Sequence, residues 1–83
     1  MDQITVSNLL SSMADKWPSP IVARTEAEKF TGGLISEKYL ANLDCVNKGP
    51  AGRIRIGRKV AYPVNEYLTW LKERSEEIPT RNK

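Results

Sequence analysis

The sequence predicts a mainly α fold carrying one small β-hairpin, with an extra helix at its N-terminus. Three observations predict it. Apolar residues recur at helical spacing over residues 5–17, 37–47 and 64–76. The pair Gly32-Gly33 breaks the chain between a short helical segment and the longer one that follows. Arg53-Ile54-Arg55-Ile56 alternates charged and apolar residues, the period of a strand, and meets Gly57 before the apolar run Val60-Ala61-Tyr62. At 83 residues the chain makes one domain, and a chain of that size buries only about 60–65% of its unfolded surface. It divides into an N-terminal helix with a Pro-containing linker (1–20), a folded domain (21–77) and a flexible tail (78–83).

Val6, Leu9, Leu10, Met13 and Trp17 form the apolar stripe of the first helix, with Thr5 or Ser7 as its cap. Pro18-Ser19-Pro20 stops it, because proline lacks an amide donor and turns the preceding residue away from helix. Thr25-Glu26-Ala27-Glu28 has capping-box spacing, which would start a helix of barely two turns with Ala27 and Phe30 inward. Gly32-Gly33 end that helix, and Leu34 and Ile35 follow as apolar staples. Ser36 caps a helix over 37–47 whose buried stripe is Leu40, Leu43 and Val46, with Tyr39 at its margin. The opposite stripe is Lys38, Ala41, Asn42 and Cys45. Gly49-Pro50-Ala51-Gly52 is a loop by composition. Pro63 suits a first helical turn, and the closing helix over 64–76 turns Val64, Tyr67, Leu68 and Leu71 inward with Trp70 flanking.

The hairpin turn follows from facing. A two-residue Gly57-Arg58 turn would set Ile56 opposite Lys59 and mix the faces. A three-residue loop, Gly57-Arg58-Lys59, sets Ile56 opposite Val60 and Ile54 opposite Tyr62 on one core side. The expectation is therefore a three-residue tip, with Arg53 and Arg55 on the outer face.

Net charge is +3, but its distribution is uneven. Residues 1–46 hold four bases and six acids, and residues 63–83 balance. Between them Lys48, Arg53, Arg55, Arg58 and Lys59 stand with no acid from 47 to 62. A neutral body with one basic strip is the footprint of a polyanion binder. Cys45 is the only cysteine and there is no histidine, which excludes an internal disulfide, Cys/His zinc sites and His-based triads. The acids are scattered over helical surfaces and no phosphate loop is present, so an enzyme is not expected, nor a cofactor. One free thiol, no long apolar run and a non-basic Met1-Asp2-Gln3 start point to a cytoplasmic chain without membrane association.

The order is short helix, glycine turn, second helix, basic hairpin, closing helix. Two helices joined by a short glycine-containing turn are a helix-turn-helix, and a hairpin directly after the second makes it winged. The chain resembles the winged helix-turn-helix domains of phage excisionases, AlpA-like regulators and MerR-type activators. The resemblance rests on Ala23-Arg24-Thr25-Glu26-Ala27, on Ser36 before Tyr39-Leu40, on Arg55 through Pro63 and on Tyr67-Leu68-Thr69-Trp70-Leu71. It spans about Ile21 to Arg74. Asn42 and Leu43 stand where the family commonly has Arg and Trp, and the N-terminal helix lies outside the pattern. The resemblance implies binding of double-stranded DNA, with the second helix in the major groove and the wing on the adjoining backbone or minor groove. It implies a transcriptional regulator or excision accessory factor of a prophage or mobile element, acting in DNA recombination or transcription with an integrase or polymerase nearby.

The candidate DNA-binding residues are Ser36, Glu37, Lys38, Ala41, Asn42, Lys48, Arg53, Arg55, Arg58 and Lys59. Asn42 can pair with adenine N6 and N7, or be a solvated helix residue. Lys38 can hold a phosphate, or be a plain surface lysine. Glu37 can accept from cytosine, or favour the positive end of its helix. Ser36 is chiefly a cap, whose neighbouring amides could also grip phosphate. Arg58 at the tip suits a narrow minor groove. Lys48, Arg53, Arg55 and Lys59 suit counterion-releasing phosphate contacts, though arginines also protect a strand edge. One such module buries about 600–1,000 Å² on DNA, which favours a homo-oligomer, dimeric or assembled on DNA. Two other readings stand beside this one: a protein-interaction module with a degenerate wing, and a structured-RNA binder.

Overall fold

Prolines 18 and 20 turn the chain out of its first helix, and the loop they build is tied down at both ends. The indole of Trp17 donates to the Ile21 carbonyl at 2.9 Å, and the Val64 amide donates to the Pro20 carbonyl at 2.8 Å. The computed structural model describes residues 6–76. Helix α1 is Val6–Asp15, followed by strand β1 (Ile21–Ala23), a 3-10 turn (Arg24–Glu26), α2 (Ala27–Phe30) and α3 (Glu37–Cys45). Strands β2 (Ile54–Ile56) and β3 (Lys59–Pro63) then lead into α4 (Val64–Glu73). Among the described residues the result is a mixed α/β arrangement of four helices and one three-stranded antiparallel sheet, ordered β1-β3-β2. Thr5 and the tail 78–83 lie outside the described residues.

The third strand is a departure from the expected two-stranded hairpin. Ile21-Val22-Ala23 pairs with Pro63-Tyr62-Ala61, bringing Val22 beside Tyr62. Three residues between a proline linker and a helix carry too short an alternation to register as a strand; pairing with β3 gives them one.

The core consists of Val22, Ala27, Phe30, Leu40, Tyr62, Tyr67, Trp70 and Leu71, with Leu10, Met13, Trp17, Ile35, Leu43, Val60, Val64 and Leu68 packed against it. Aromatic rings run through it in series. Trp17 meets Phe30 edge-on at 5.2 Å, Phe30 meets Tyr67 at 5.4 Å, and Tyr67 stacks on both Tyr62 and Trp70 at 5.9 Å. Such pairs add to area burial, which matters in a chain this short. Trp70 is buried rather than flanking, and its indole donates to the Lys48 carbonyl at 2.9 Å.

The glycine turn forms as the sequence predicts. Gly32 has φ 67°, and the Gly33 and Gly32 amides donate back to the Glu28 and Lys29 carbonyls, the crossed pair of bonds that closes a helix on a left-handed residue. The capping box does not form: neither end of the 3-10 turn carries a side-chain cap. Thr31 ties the turn instead. Its hydroxyl donates to carbonyls of α2 and accepts the Ile35 amide at 3.0 Å. Ile35 packs on the core, while Leu34, expected as a second staple, is 82% exposed.

Helix α3 starts on Ser36, whose hydroxyl accepts the Tyr39 amide at 3.1 Å. It ends two residues before the expected Asn47, which takes φ 59° so that the Lys48 and Asn47 amides return to the Leu43 and Asp44 carbonyls. Its buried stripe is also corrected. Leu40 is fully buried and Leu43 half-buried, but Val46, six residues on and so about 120° around the helix from Leu40, is 58% exposed, and Asp44, one turn after Leu40, is buried instead. The closing helix begins after Pro63, which remains in β3.

Candidate nucleic-acid interface

On α3, spacing alone separates an outer from an inner face. Lys38, Asn42 and Cys45 lie at i, i+4 and i+7, and all three are exposed. Ala41 is half-buried beside them, and Ser36 and Glu37 stand at the helix start. Leu40 and Asp44 point the other way, into the fold.

The hairpin differs from its expected form. Its strands pair Ile56 with Lys59, Arg55 with Val60 and Ile54 with Ala61, so the turn has two residues, Gly57 and Arg58. Gly57 has φ 64°, which glycine adopts freely at the first central position of a hairpin turn whose twist matches the strands. Residues directly opposite share a face. Val60 therefore shares the core side with Arg55, while Ile54 and Ile56 lie on the outer side with Lys59. The expected arrangement, with both isoleucines inward and Arg55 outward, is inverted. The core does not extend under this end of the hairpin: residues 51–59 are all exposed. Burial therefore exerts no preference between the faces, and the glycine turn sets the register.

Five cations were gathered by the sequence, and the fold distributes them. Arg58 and Lys59 line an open groove with Glu37, Arg24, Thr25, Ile56 and Val60, so the hairpin tip lies beside the start of α3. Arg53 is drawn to the other end of α3, where its guanidinium sits 3.6 Å from Asp44 Oδ1. Lys48 is exposed just beyond that end. Among the described residues Lys48, Arg55, Arg58 and Lys59 form no ion pair. Cations thus stand near both ends of α3, and one of them is partly neutralised from within.

Asp44 is the residue that sequence reasoning missed. It is 6% exposed, and its Oδ2 accepts from the Tyr62 hydroxyl at 2.5 Å and from Arg24 Nη2 at 2.6 Å. Arg24 Nε also donates to the Tyr62 oxygen at 3.1 Å. Oδ1 has no hydrogen bond, and Gly49 lies so close that a Cβ there would come within 2.0 Å of it. Burial, reinforced by the bond to Asp44, pushes the Tyr62 hydroxyl up to about 12. Burial works against charge on Arg24, but the bonds to Tyr62 and Asp44 outweigh it and hold the guanidinium above its ordinary value. Burial likewise raises Tyr67. The readable signal was position: Asp44 stands one turn after Leu40, on the apolar stripe.

Arg74 and Tyr39 join α4 to the outer side of α3. The guanidinium donates to the Tyr39 hydroxyl at 2.7 Å and lies 4.8 Å from the centre of the Trp70 ring. Among the described residues no helix is long and apolar enough to cross a membrane, and no three metal-ligating side chains converge. No family model matches the chain, and no curated protein matches it in sequence.

Proposed function

We propose that this chain is a sequence-specific duplex-DNA-binding protein of the winged helix-turn-helix kind, a transcriptional regulator or excision accessory factor of a phage or mobile element. In this reading α2 and α3 are the helix pair and the β2–β3 hairpin is the wing. The observation that carries it is the groove shared by Glu37 of α3 and by Arg58 and Lys59 of the hairpin tip. It supports the reading by setting two cations that form no ion pair among the described residues beside the start of α3.

The mechanism is electrostatic and mechanical, with no bond made or broken. The α3 edge enters a major groove, where Asn42 meets base edges and Lys38 a phosphate. The hairpin tip rests on the flanking backbone, where Arg58 and Lys59 displace condensed counterions. Arg55 and Lys48 add phosphate contacts, and Arg53 divides its charge between DNA and Asp44. The buried Asp44–Tyr62–Arg24 cluster fixes α3 relative to β3, so helix and hairpin approach the duplex as one piece. Homo-oligomers on adjacent sites extend the specific contact.

Selection of bound sites from a random duplex pool, followed by competition with duplex RNA, tests the reading. A recurrent motif and preference for DNA are expected. Equal binding of both duplexes with no enriched sequence would replace it with a structured-RNA or nonspecific polyanion binder.

A further inference from the structure

The free edge of the hairpin has a feature that phosphate contacts leave unused, although Ile56 also lines the groove beside α3. Ile54 and Ile56, 42% and 65% exposed, stand two apart on one face of β2. β2 is an edge strand, since β3 lies between it and β1. Its register fixes which backbone groups are open. In a hairpin with a two-residue turn the closing pair, Ile56 and Lys59, exchanges both hydrogen bonds, and pairs alternate from there. Arg55 therefore belongs to a non-bonded pair, and its amide and carbonyl point to the free edge. An edge strand with exposed apolar side chains and open backbone groups is a template for another strand.

Charge decides what can pair there. A second copy meeting this edge antiparallel about Arg55 would set Arg55 opposite Arg55, and like charges directly opposite are destabilising. Arg58 and Lys59 close by add to the repulsion, whereas Arg53 is partly neutralised by Asp44. A strand with an acid opposite Arg55 and apolar residues opposite Ile54 and Ile56 satisfies backbone, charge and apolar surface together. We propose that the β2 edge is a docking site for an extended acidic–apolar segment of a second protein, added as a fourth strand. This goes beyond the DNA-binding reading, and it is tested without DNA, so either can fail alone.

The test uses the full chain and a synthetic peptide, acetyl-Thr-Val-Glu-Val-Thr-amide, with its Lys-for-Glu counterpart. Backbone NMR shifts are followed as each peptide is raised to millimolar concentration. The expected result is perturbation centred on Arg53–Ile56, slowed hydrogen exchange at the Arg55 amide, and about tenfold weaker binding of the lysine peptide, the effect of turning a favourable cross-strand pair into an unfavourable one. Arg55→Glu should reverse the preference between the peptides. Arg55→Pro, tolerated on an edge facing solvent, should abolish binding of both. Shifts scattered over the surface, equal binding of the two peptides by the wild type, or a self-associated β2 edge in the absence of peptide would each overturn the proposal.

Discussion

The Tyr62 hydroxyl donates to Asp44 Oδ2 at 2.5 Å, joining the C-terminal half of β3 to the inner face of α3 across a buried boundary. Arg24 completes the cluster from the start of the 3-10 turn, so a single carboxylate ties together three segments that the chain separates by loops. Removing that carboxylate strands a guanidinium and a buried phenol. Asp44→Ala should cost about 3 kcal/mol, at the low end for a broken buried pair because Arg24 keeps some solvent contact. Tyr62→Phe should cost about 1–3 kcal/mol by leaving the carboxylate short of a donor. Urea denaturation of both variants measures this, and a loss under about 0.5 kcal/mol for Asp44→Ala, the range of ordinary surface changes, would contradict the cluster's structural role.

Alkaline stability reports on the same contact. The Tyr62 pKa is raised from its ordinary 10 to about 12. Below pH 10 both folded and unfolded chains hold the proton, so its contribution is fully present. Between pH 10 and about 12 only the unfolded chain gives the proton up, and stability falls by at most about 3 kcal/mol. Tyr67, also raised by burial, adds to the fall. Denaturant midpoints across this window should decline less steeply for Tyr62→Phe than for the wild type; parallel declines would show that Tyr62 does not titrate there.

Two glycines should respond to alanine for different reasons. At Gly49 the added Cβ would meet Asp44 Oδ1 at 2.0 Å, and relief requires the buried carboxylate to move. Gly49→Ala should therefore destabilise by about 1–3 kcal/mol, as overpacking does. At Gly57 there is open space but φ is 64°, so Gly57→Ala should cost about 1 kcal/mol of backbone strain. Thermal unfolding distinguishes them when combined with Asp44→Ala: the Gly49→Ala penalty should shrink in that background and the Gly57→Ala penalty should not.

Much of the helical layout was legible because it rests on local signals. Gly32-Gly33, the Ser36 cap, and Ala27, Phe30, Leu40, Tyr67 and Leu71 as inward residues all follow from turn chemistry and a period of 3.6. What was not legible depends on partners distant in the chain. Ile21–Ala23 becomes a strand only because β3 is available to pair with it. Burial favours the other hairpin register, yet the distal half of the hairpin has no core beneath it, so the turn's backbone preference decides instead. Asp44 looked like a surface acid until Tyr62 and Arg24, 18 and 20 residues away, were brought to it. The basic strip was visible as composition; that Arg53 leans on Asp44 while Arg58 and Lys59 border α3 was not.

In the proposed DNA-binding reading, Asn42 supplies the base specificity. It lies exposed on the same stripe as Lys38, and Asn42→Ala should relax preference at one base pair while leaving nonspecific affinity unchanged. Binding to a panel of single-base variants of the selected site measures this. A uniform loss across the panel would instead make Asn42 a backbone contact or a folding residue.

The proposal that the hairpin cations grip duplex DNA is decided by the salt dependence of the affinity. For the wild type the logarithm of the binding constant should fall steeply and linearly with the logarithm of salt concentration, by about 0.9 for each phosphate neutralised. Arg58→Ala should weaken binding by about 1–3 kcal/mol and Lys59→Ala should lower the slope by about one. Wild-type binding insensitive to salt, or both variants binding as tightly and with the same slope as the wild type, would contradict a role for the hairpin cations in gripping DNA.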